Sequence, residues 1–427
     1  MLDIKFVREN SDKVKKAIKD RGLSVDIDGV LSLDAKRRNI LKEVEDIKHK
    51  KNIASDEIAK LLKEKKDATA KISEMKAISE KEKGFEEDLK STEKKFQAAL
   101  FDIPNIPHES TPVGKDPTAN VIVRTCGKEK KFDFEPRTHL ELGEYLDILD
   151  FPRAAKIVGT NFPLFKGDGA RLERALINFM LDLHTKKHGY REIFPPFLVN
   201  RASMTGTGQL PKLEADMYRL KDDDYFLVPT AEVPLTNLHA NEVLDEDSLP
   251  VYYTAYTACF RREAGSYGKE TKGLIRVHQF DKVELVKFVK PRDSYDELEK
   301  LLADAEEVLK ALDLQYRVVV LSTADLSFAA SKCYDLEAYA PGAKTWLEVS
   351  SCSNFEDFQA RRANIRYRSK ESGKSSYVHT LNGSGVALAR TVIALLENYQ
   401  NKDGTVTIPE VLRPYMDGKE KIQLPKK

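Results

Sequence analysis

The run from Tyr252 to Val289, YYTAYTACFRREAGSYGKETKGLIRVHQFDKVELVKFV, holds two β-prone segments around a polar loop. The first ends in Phe260-Arg261-Arg262-Glu263, and the loop covers Ala264 to Gly273. On the return, period-two alternation puts Arg276, His278, Phe280, Lys282 and Glu284 on one face. A core sheet has no use for that charged row unless a charged ligand lies over it. Arg261, at a strand end, presents a planar fork suited to carboxylate or phosphate oxygens. Glu284 on the same surface can accept hydrogen bonds from an ammonium or a hydroxyl. The competing account is an exposed sheet face with surface ion pairs. The loop is not a P-loop: two residues rather than four separate Gly265 from Gly268, and Glu270 parts Lys269 from Thr271.

Outward from this hairpin, strand-like runs appear at Leu227–Pro229, Tyr316–Leu321 and Trp346–Asn354. Helical periodicity appears around Gly169–His188 and Asp293–Leu312. The strands cluster without regular βαβ alternation, which predicts an α+β fold with an antiparallel sheet flanked by helices. Three further segments carry chemistry. In Trp346-Leu-Glu348-Val349-Ser350-Ser351-Cys352-Ser-Asn354, alternation points Glu348, Ser350 and Cys352 one way. One carboxylate with neighbouring hydroxyls suits Mg²⁺, although a Ser- and Asn-rich strand end is also an ordinary turn. In Thr380-Leu-Asn382-Gly-Ser384-Gly-Val-Ala-Leu-Ala-Arg390, two glycines and Ser384 read as a loop opening a helix, with Arg390 about two turns along it. Ser384 as a plain helix cap is the alternative. Pro229-Thr230-Ala231-Glu232-Val-Pro234 holds a carboxylate in a proline-bounded turn, or starts a helix capped by Thr230. G-x-S-x-G is absent, and none of the eight histidines has a metal-site spacing such as H-E-x-x-H.

The segment from Leu31 to Ala99 differs in kind: it has no proline, one glycine, and half of its positions from Asp34 onward are charged. Ile40, Val44, Ile47, Ala54, Ile58 and Leu61 recur in heptad steps, with Lys51 in the missing place, and Phe85, Leu89, Thr92, Phe96 and Ala99 repeat the rhythm. With a polar reversal at Lys63–Asp67, this predicts an antiparallel coiled-coil arm that projects, each helix about 45–50 Å long. Residues 34–66 sum to +4 and residues 67–99 to −1, so a basic first helix could face a phosphate backbone or simply be solvated. The domains read as 1–102, a proline-rich linker at 103–117, and a catalytic domain at 118–427.

Composition sets outer limits. A chain of 427 residues with 41% apolar and 33% charged positions can build a sizeable core. Its 70 basic and 69 acidic residues, net charge +1, exclude a histone-like global attraction to nucleic acid but not a local patch. Four scattered cysteines, no apolar N-terminal stretch and no long apolar run predict a soluble protein of a reducing, cytoplasmic setting.

Taken together these segments resemble the class II aminoacyl-tRNA synthetases, and within them the seryl-tRNA synthetases of bacterial type. The resemblance runs from MLDIKFVREN and the arm through TAEVPLTN and FRREAGSYGKETKGLIRVHQFDKVELV, similar to motif 2. It continues through LEVSSCSNFEDFQARR and HTLNGSGVALARTVIALLENYQ, similar to motif 3, with a weakly specified motif 1 near Glu192–Pro196. It implies that Arg261, Glu284 and Arg390 are catalytic. L-serine is expected among Thr230, Ala231, Glu232, Arg261, Glu284, Asn382 and Ser384. ATP is expected against Arg261, Arg262, Glu263, Val277, Glu348, Val349, Ser350, Ser351 and Arg390, with Glu348 and Ser351 holding Mg²⁺. Arg261 would grip the α-phosphate and the serine carboxylate, Arg390 the γ-phosphate end of a bent ATP, and Glu263 the adenine side. Arg262 stands where many relatives have serine. Serine activation followed by transfer to tRNA(Ser) is implied, together with a homodimer and an arm that grips the tRNA; tRNA(Sec) as a second acceptor is left open. Two other readings are a coiled-coil interaction protein on an inactive synthetase scaffold and an amino-acid:carrier-protein ligase.

Overall fold

The computed structural model describes residues 1–263 and 272–424, so the tip of the polar loop, residues 264–271, lies outside the described residues. The chain divides into two compact units, one of Leu2–Lys19 with Leu23–Pro104, the other of Met1, Asp20–Gly22 and Asn105–Lys427.

The first unit is dominated by two long antiparallel helices, α1 (Ile27–Lys63) and α2 (Thr69–Phe101). At 1.5 Å per residue they measure about 55 and 50 Å. Asp26 caps the first by accepting from the Gly29 amide. The reversal at 64–68 passes through Lys65 in the left-handed region, φ 54°. Ile40, Val44, Ile47 and Ala54 are buried along one helix and Thr92 and Phe96 along the other, as the heptad pattern requires, while Leu100 rather than the half-buried Ala99 closes the seam. Lys51, the interruption in that pattern, crosses to the buried Glu82 at 2.6 Å. The pair fills one seam layer with matched charge instead of apolar side chains. Lys48–Glu86 and Lys71–Glu57 extend the same register outward.

The second unit contains an eight-stranded sheet. In chain order its strands are β1 (Val121–Cys126), β2 (Arg191–Glu192), β3 (Val251–Phe260), β4 (Gln279–Val289), β5 (Tyr316–Val320), β6 (Lys332–Ala340), β7 (Thr345–Asn354) and β8 (His379–Ala387). They lie side by side as β1-β5-β6-β7-β8-β4-β3-β2, every pair antiparallel except β2 with β3. Helices α3 (Gly167–Lys186), α4 (Glu232–Asn237), α5 (Ser294–Ala311), α6 (Phe358–Ala363) and α7 (Leu388–Asn398) complete the frame. Val283 and Leu285 of β4 belong to the core shared with α3, α5 and α7, including Met180, Leu301 and Leu395. The alternate residues Phe280 and Lys282 line a cleft on the other face.

Two sequence expectations change here. β4 begins at Gln279, so Arg276 and His278 precede the strand rather than extend its row. The Asn382–Ala387 stretch is no loop but part of β8, in the middle of the sheet. Its glycines serve the helices behind: an added Cβ at Gly383 would lie 2.9 Å from Cys352 Sγ and 3.2 Å from Leu301, and one at Gly385 2.9 Å from His184 Nε2. Within the second unit the proline-rich segment is held down: Asn105 donates to the carbonyls of Ala329 (2.9 Å) and Phe355 (2.8 Å), and His108 N–H to Ser331 O. Prolines lack a donor, and the remaining polar groups find backbone partners. No helix among the described residues is long and apolar enough to cross a membrane.

Candidate active site

A cavity of about 570 Å³ opens over β4, β7 and β8. Arg261 follows β3 directly; its amide donates to His278 O at 2.9 Å, continuing the hairpin one step beyond the ladder. Its guanidinium lies 5.3 Å from the Phe280 ring centre, and Nε donates to Pro229 O at 3.3 Å. Those contacts fix the fork on the cavity wall. Glu263, in a left-handed conformation at φ 48°, pairs with Arg276 at 3.2 Å, and both line the cavity with Val277.

At one end sits a cluster of buried acids. Glu284 is fully buried and is held from three sides: Lys282 Nζ at 2.5 Å, Asn382 Nδ2 at 2.7 Å and Thr230 Oγ1 at 3.1 Å. A buried carboxylate survives only with such partners. Glu232, in the first turn of α4, accepts from Gln359 Nε2 at 2.6 Å, while its own amide donates to Thr230 Oγ1 at 3.2 Å. The helix starts from Ala231 without a side-chain cap, so Thr230 is not the cap offered by the sequence; its hydroxyl accepts from the Glu232 amide and donates to Glu284. Burial first, then the Glu284 charge, lifts the Glu232 carboxyl from its ordinary 4.5 to about 7, against the opposing pull of Gln359, Lys282 and Arg261. Ser384 sits opposite Glu284 across the β8–β4 ladder and lines the cavity, as do Thr230, Glu232 and Asn382.

At the other end, α7 begins only at Leu388. Arg390 thus lies in its first turn, not two turns along, and Ser384 is too far back to cap it. Arg390 Nε donates to Ile275 O at 3.1 Å, and Nη1 to Glu348 O at 2.8 Å with Glu348 Oε2 at 3.3 Å. The foot of the polar loop is anchored nearby: His139 Nε2 accepts from the Leu274 amide at 3.2 Å, and Nδ1 meets Glu397 at 3.2 Å. The expected alternation along β7 fails after Glu348. An irregular step between Glu348 and Ser350 shifts the ladder, so Cys352 turns into the core while Ser351 joins Glu348 on the wall. Ser350 donates to Ser384 O at 2.7 Å, tying β7 to β8. Asp335, opposite Ser351 on β6, has its carboxyl pushed well up by burial and then by the Glu348 charge. Glu348 and Ser351 are hard oxygen donors, one carboxylate and one hydroxyl beside a guanidinium that attracts anions. That donor set fits Mg²⁺, which completes its shell with water and phosphate oxygens.

Of the residues singled out in the sequence, Arg261, Glu263, Val277, Thr230, Glu232, Glu348, Val349, Ser350, Ser351, Asn382, Ser384 and Arg390 line the one cavity. Glu284 touches it through Lys282, Thr230 and Asn382. Ala231 is buried in a neighbouring apolar cluster, and Arg262 is exposed, its amide bonded to Asp216 O. Lys282 and Phe280 stood in the predicted charged row without a role, and Gln359 carried no local signal.

The N-terminal 107 residues match the family of seryl-tRNA synthetase N-terminal domains, and residues 215–399 the tRNA synthetase class II core domain (G, H, P, S and T). The serine–tRNA ligase of Carboxydothermus hydrogenoformans is 58% identical over 97% of this chain and 98% of its own. The seryl-tRNA synthetase of Pyrococcus horikoshii, solved with ATP, superposes with a TM-score of 0.91 at 38% identity over the whole of both chains. The cytoplasmic serine–tRNA ligase of Naegleria fowleri, solved with AMP, gives 0.86 at 32% over 100% of this chain and 99% of that one. With synthetase motifs converging on one cleft and relatives alike along their full length, the chain belongs to the seryl-tRNA synthetase family, the serine–tRNA ligases of class II.

Proposed function

We propose that the cleft joins L-serine to ATP, releasing pyrophosphate, and passes the seryl group to the terminal ribose of tRNA(Ser), with the following division of labour. The observation that carries this is the pair of chemistries at its two ends: the buried carboxylates of Glu232 and Glu284, and the Arg390 guanidinium beside Glu348. Serine enters the acidic end, its ammonium facing Glu232 and its hydroxyl facing Glu284 and Ser384. Arg261, between the ends, holds the serine carboxylate against the α-phosphate, so that the attacking oxygen and the phosphorus are already aligned. The nucleophile is an anion and needs no general base; Arg261 and Arg390 neutralise charge as it shifts toward pyrophosphate. Phe280 offers an apolar face and Glu263 hydrogen-bond acceptors at the adenine side. Glu348 and Ser351 would hold Mg²⁺, which would supply further charge neutralisation for the phosphates.

Selectivity follows from the buried acids. An alanine substrate would forgo the hydroxyl hydrogen bonds to Glu284 and Ser384, a large loss in a site built to make them. Threonine must be rejected by space around the β-carbon. The coiled coil of α1 and α2 grips the tRNA by backbone and shape, its basic first helix supplying the charge. The division into arm (1–102), linker (103–117) and catalytic domain (118–427), a homodimer joined near Glu192–Pro196, a cytoplasmic location, and tRNA(Sec) as a further acceptor belong to the same reading. Binding of a non-hydrolysable seryl-adenylate analogue tests the site: Glu284→Ala and Arg261→Ala should each weaken it at least tenfold. Equal affinity in folded variants would mean that the acidic end and Arg261 do not share one ligand.

A further inference from the structure

We propose that Gln359 is a positioning residue of this pocket, holding the Glu232 carboxylate in the pose that meets the substrate ammonium. The inference rests on the reading above that the acidic end takes serine. Gln359 lies on α6, away from the cavity wall, and is fully buried. Its Nε2 donates to Glu232 Oε1 at 2.6 Å and to Thr207 O at 3.1 Å, and its Oε1 accepts from Thr380 Oγ1 at 2.7 Å. A backbone carbonyl can only accept, so Thr207 fixes which end of the amide carries the hydrogens. The same end faces Glu232. Both N–H groups are then committed, and the amide cannot turn away without stranding a buried donor.

The bridge joins three elements. Thr380 lies on β8, two residues before Asn382 and four before Ser384, and Glu232 opens α4. Gln359 therefore locks the ammonium-facing acid to the strand that carries the hydroxyl-facing groups. It also acts on charge. The groups facing Glu232 are Glu284 on β4, which disfavours its anion, and Lys282, Arg261 and Gln359, which favour it. With the carboxyl near 7, a neutral donor at 2.6 Å weighs on whether serine meets a carboxylate or a carboxylic acid. Sequence position does not betray this: Gln359 sits in Phe358–Ala363 with no polar pattern around it that points inward.

The test is serine-dependent ATP–pyrophosphate exchange by the full-length protein from about pH 5.5 to 9, with thermal melts run alongside. Gln359→Met removes both donors at similar volume. It should raise KM for serine about tenfold at pH 7. It should also move the acid limb of kcat/KM for serine up by about one pH unit, with KM for ATP within about twofold of wild type. Gln359→Glu should move the acid limb up further than Gln359→Met, because a second carboxylate facing Glu232 adds to the disfavour of its anion; like that of the Met variant, its defect recedes as pH rises. Wild-type limbs in folded variants would overturn the proposal. So would equal rises in KM for serine and ATP without a shifted limb, the mark of mere structural support. If Gln359→Met does not fold, the pH trend of Gln359→Glu decides alone. Absence of serine-dependent exchange in the wild type sinks the serine reading and the inference with it; exchange with unmoved limbs sinks only the inference.

Discussion

Replacing Arg261 separates the two properties the site asks of it, charge and planar geometry. Its Nε is engaged by Pro229 O at 3.3 Å and its plane lies 5.3 Å from the Phe280 centroid, so an anion would be met by the Nη edge. Two charge-assisted hydrogen bonds from that edge, at about 1.5–3 kcal/mol each, amount to about 3–6 kcal/mol. Concentrated in the transition state, where charge moves onto the phosphates, this corresponds to a loss of about 10² to 10⁴ in kcat/KM for Arg261→Ala. Arg261→Lys keeps one charge but neither the fork nor the Pro229 contact, and should recover one bond, leaving a loss of about 10 to 10². The assay is serine-dependent ATP–pyrophosphate exchange, with a melting curve to show that each variant is folded. An Arg261→Ala protein within about threefold of wild type would refute the assignment. So would a Lys variant as poor as the Ala variant, because charge would then count for nothing.

Other outcomes follow from the same geometry. Glu232→Gln should abolish serine activation yet stabilise the fold above neutrality. The folded carboxyl, at about 7 against 4.5 unfolded, holds its proton longer in the folded state, so its burial penalty grows from pH 4.5 to 7 and then stays near 3 kcal/mol. The variant's melting temperature should therefore exceed wild type at pH 8 and match it at pH 4.5; equal differences at both would contradict the burial argument. In the arm, Lys51→Leu with Glu82→Leu should complete the apolar seam and slow amide exchange around Ile47 and Ile58, while Glu82→Leu alone, which strands Lys51, should quicken it. Deleting residues 31–99 should leave serine-dependent exchange intact and remove tRNA charging; unimpaired charging would end the arm's assigned role.

What could be read beforehand was whatever local pattern determines. Heptads state their own geometry and expose the interruption at Lys51, but only the folded register supplies its partner, Glu82. Charged side chains in β-prone runs gave away Arg261 and Glu284, since burial of such residues demands a reason. The misreadings came where a neighbour decides the conformation. Gly383 and Gly385 look like a ligand-facing loop until α5 and α3 are seen to need the space behind β8. The step after Glu348 brings Ser351 to the wall and turns Cys352 into the core, and strict alternation cannot anticipate it. β1 escaped notice because its Val121, Ile122 and Val123 are all half-exposed at a sheet edge and show no alternation. Gln359 was silent for a related reason: an amide becomes informative only when its partners, Thr207, Glu232 and Thr380, arrive from three other parts of the chain.

The central claim is that one cleft recognises serine at its acidic end and activates it at its cationic end. Amino-acid-dependent ATP–pyrophosphate exchange, comparing serine with threonine, alanine, glycine and cysteine, tests it most directly. The account predicts strong exchange with serine and at least a hundredfold less with alanine, which forgoes the hydroxyl hydrogen bonds to Glu284 and Ser384. Exchange that fails to distinguish alanine from serine, or that is absent with serine from folded protein and Mg²⁺, would contradict it.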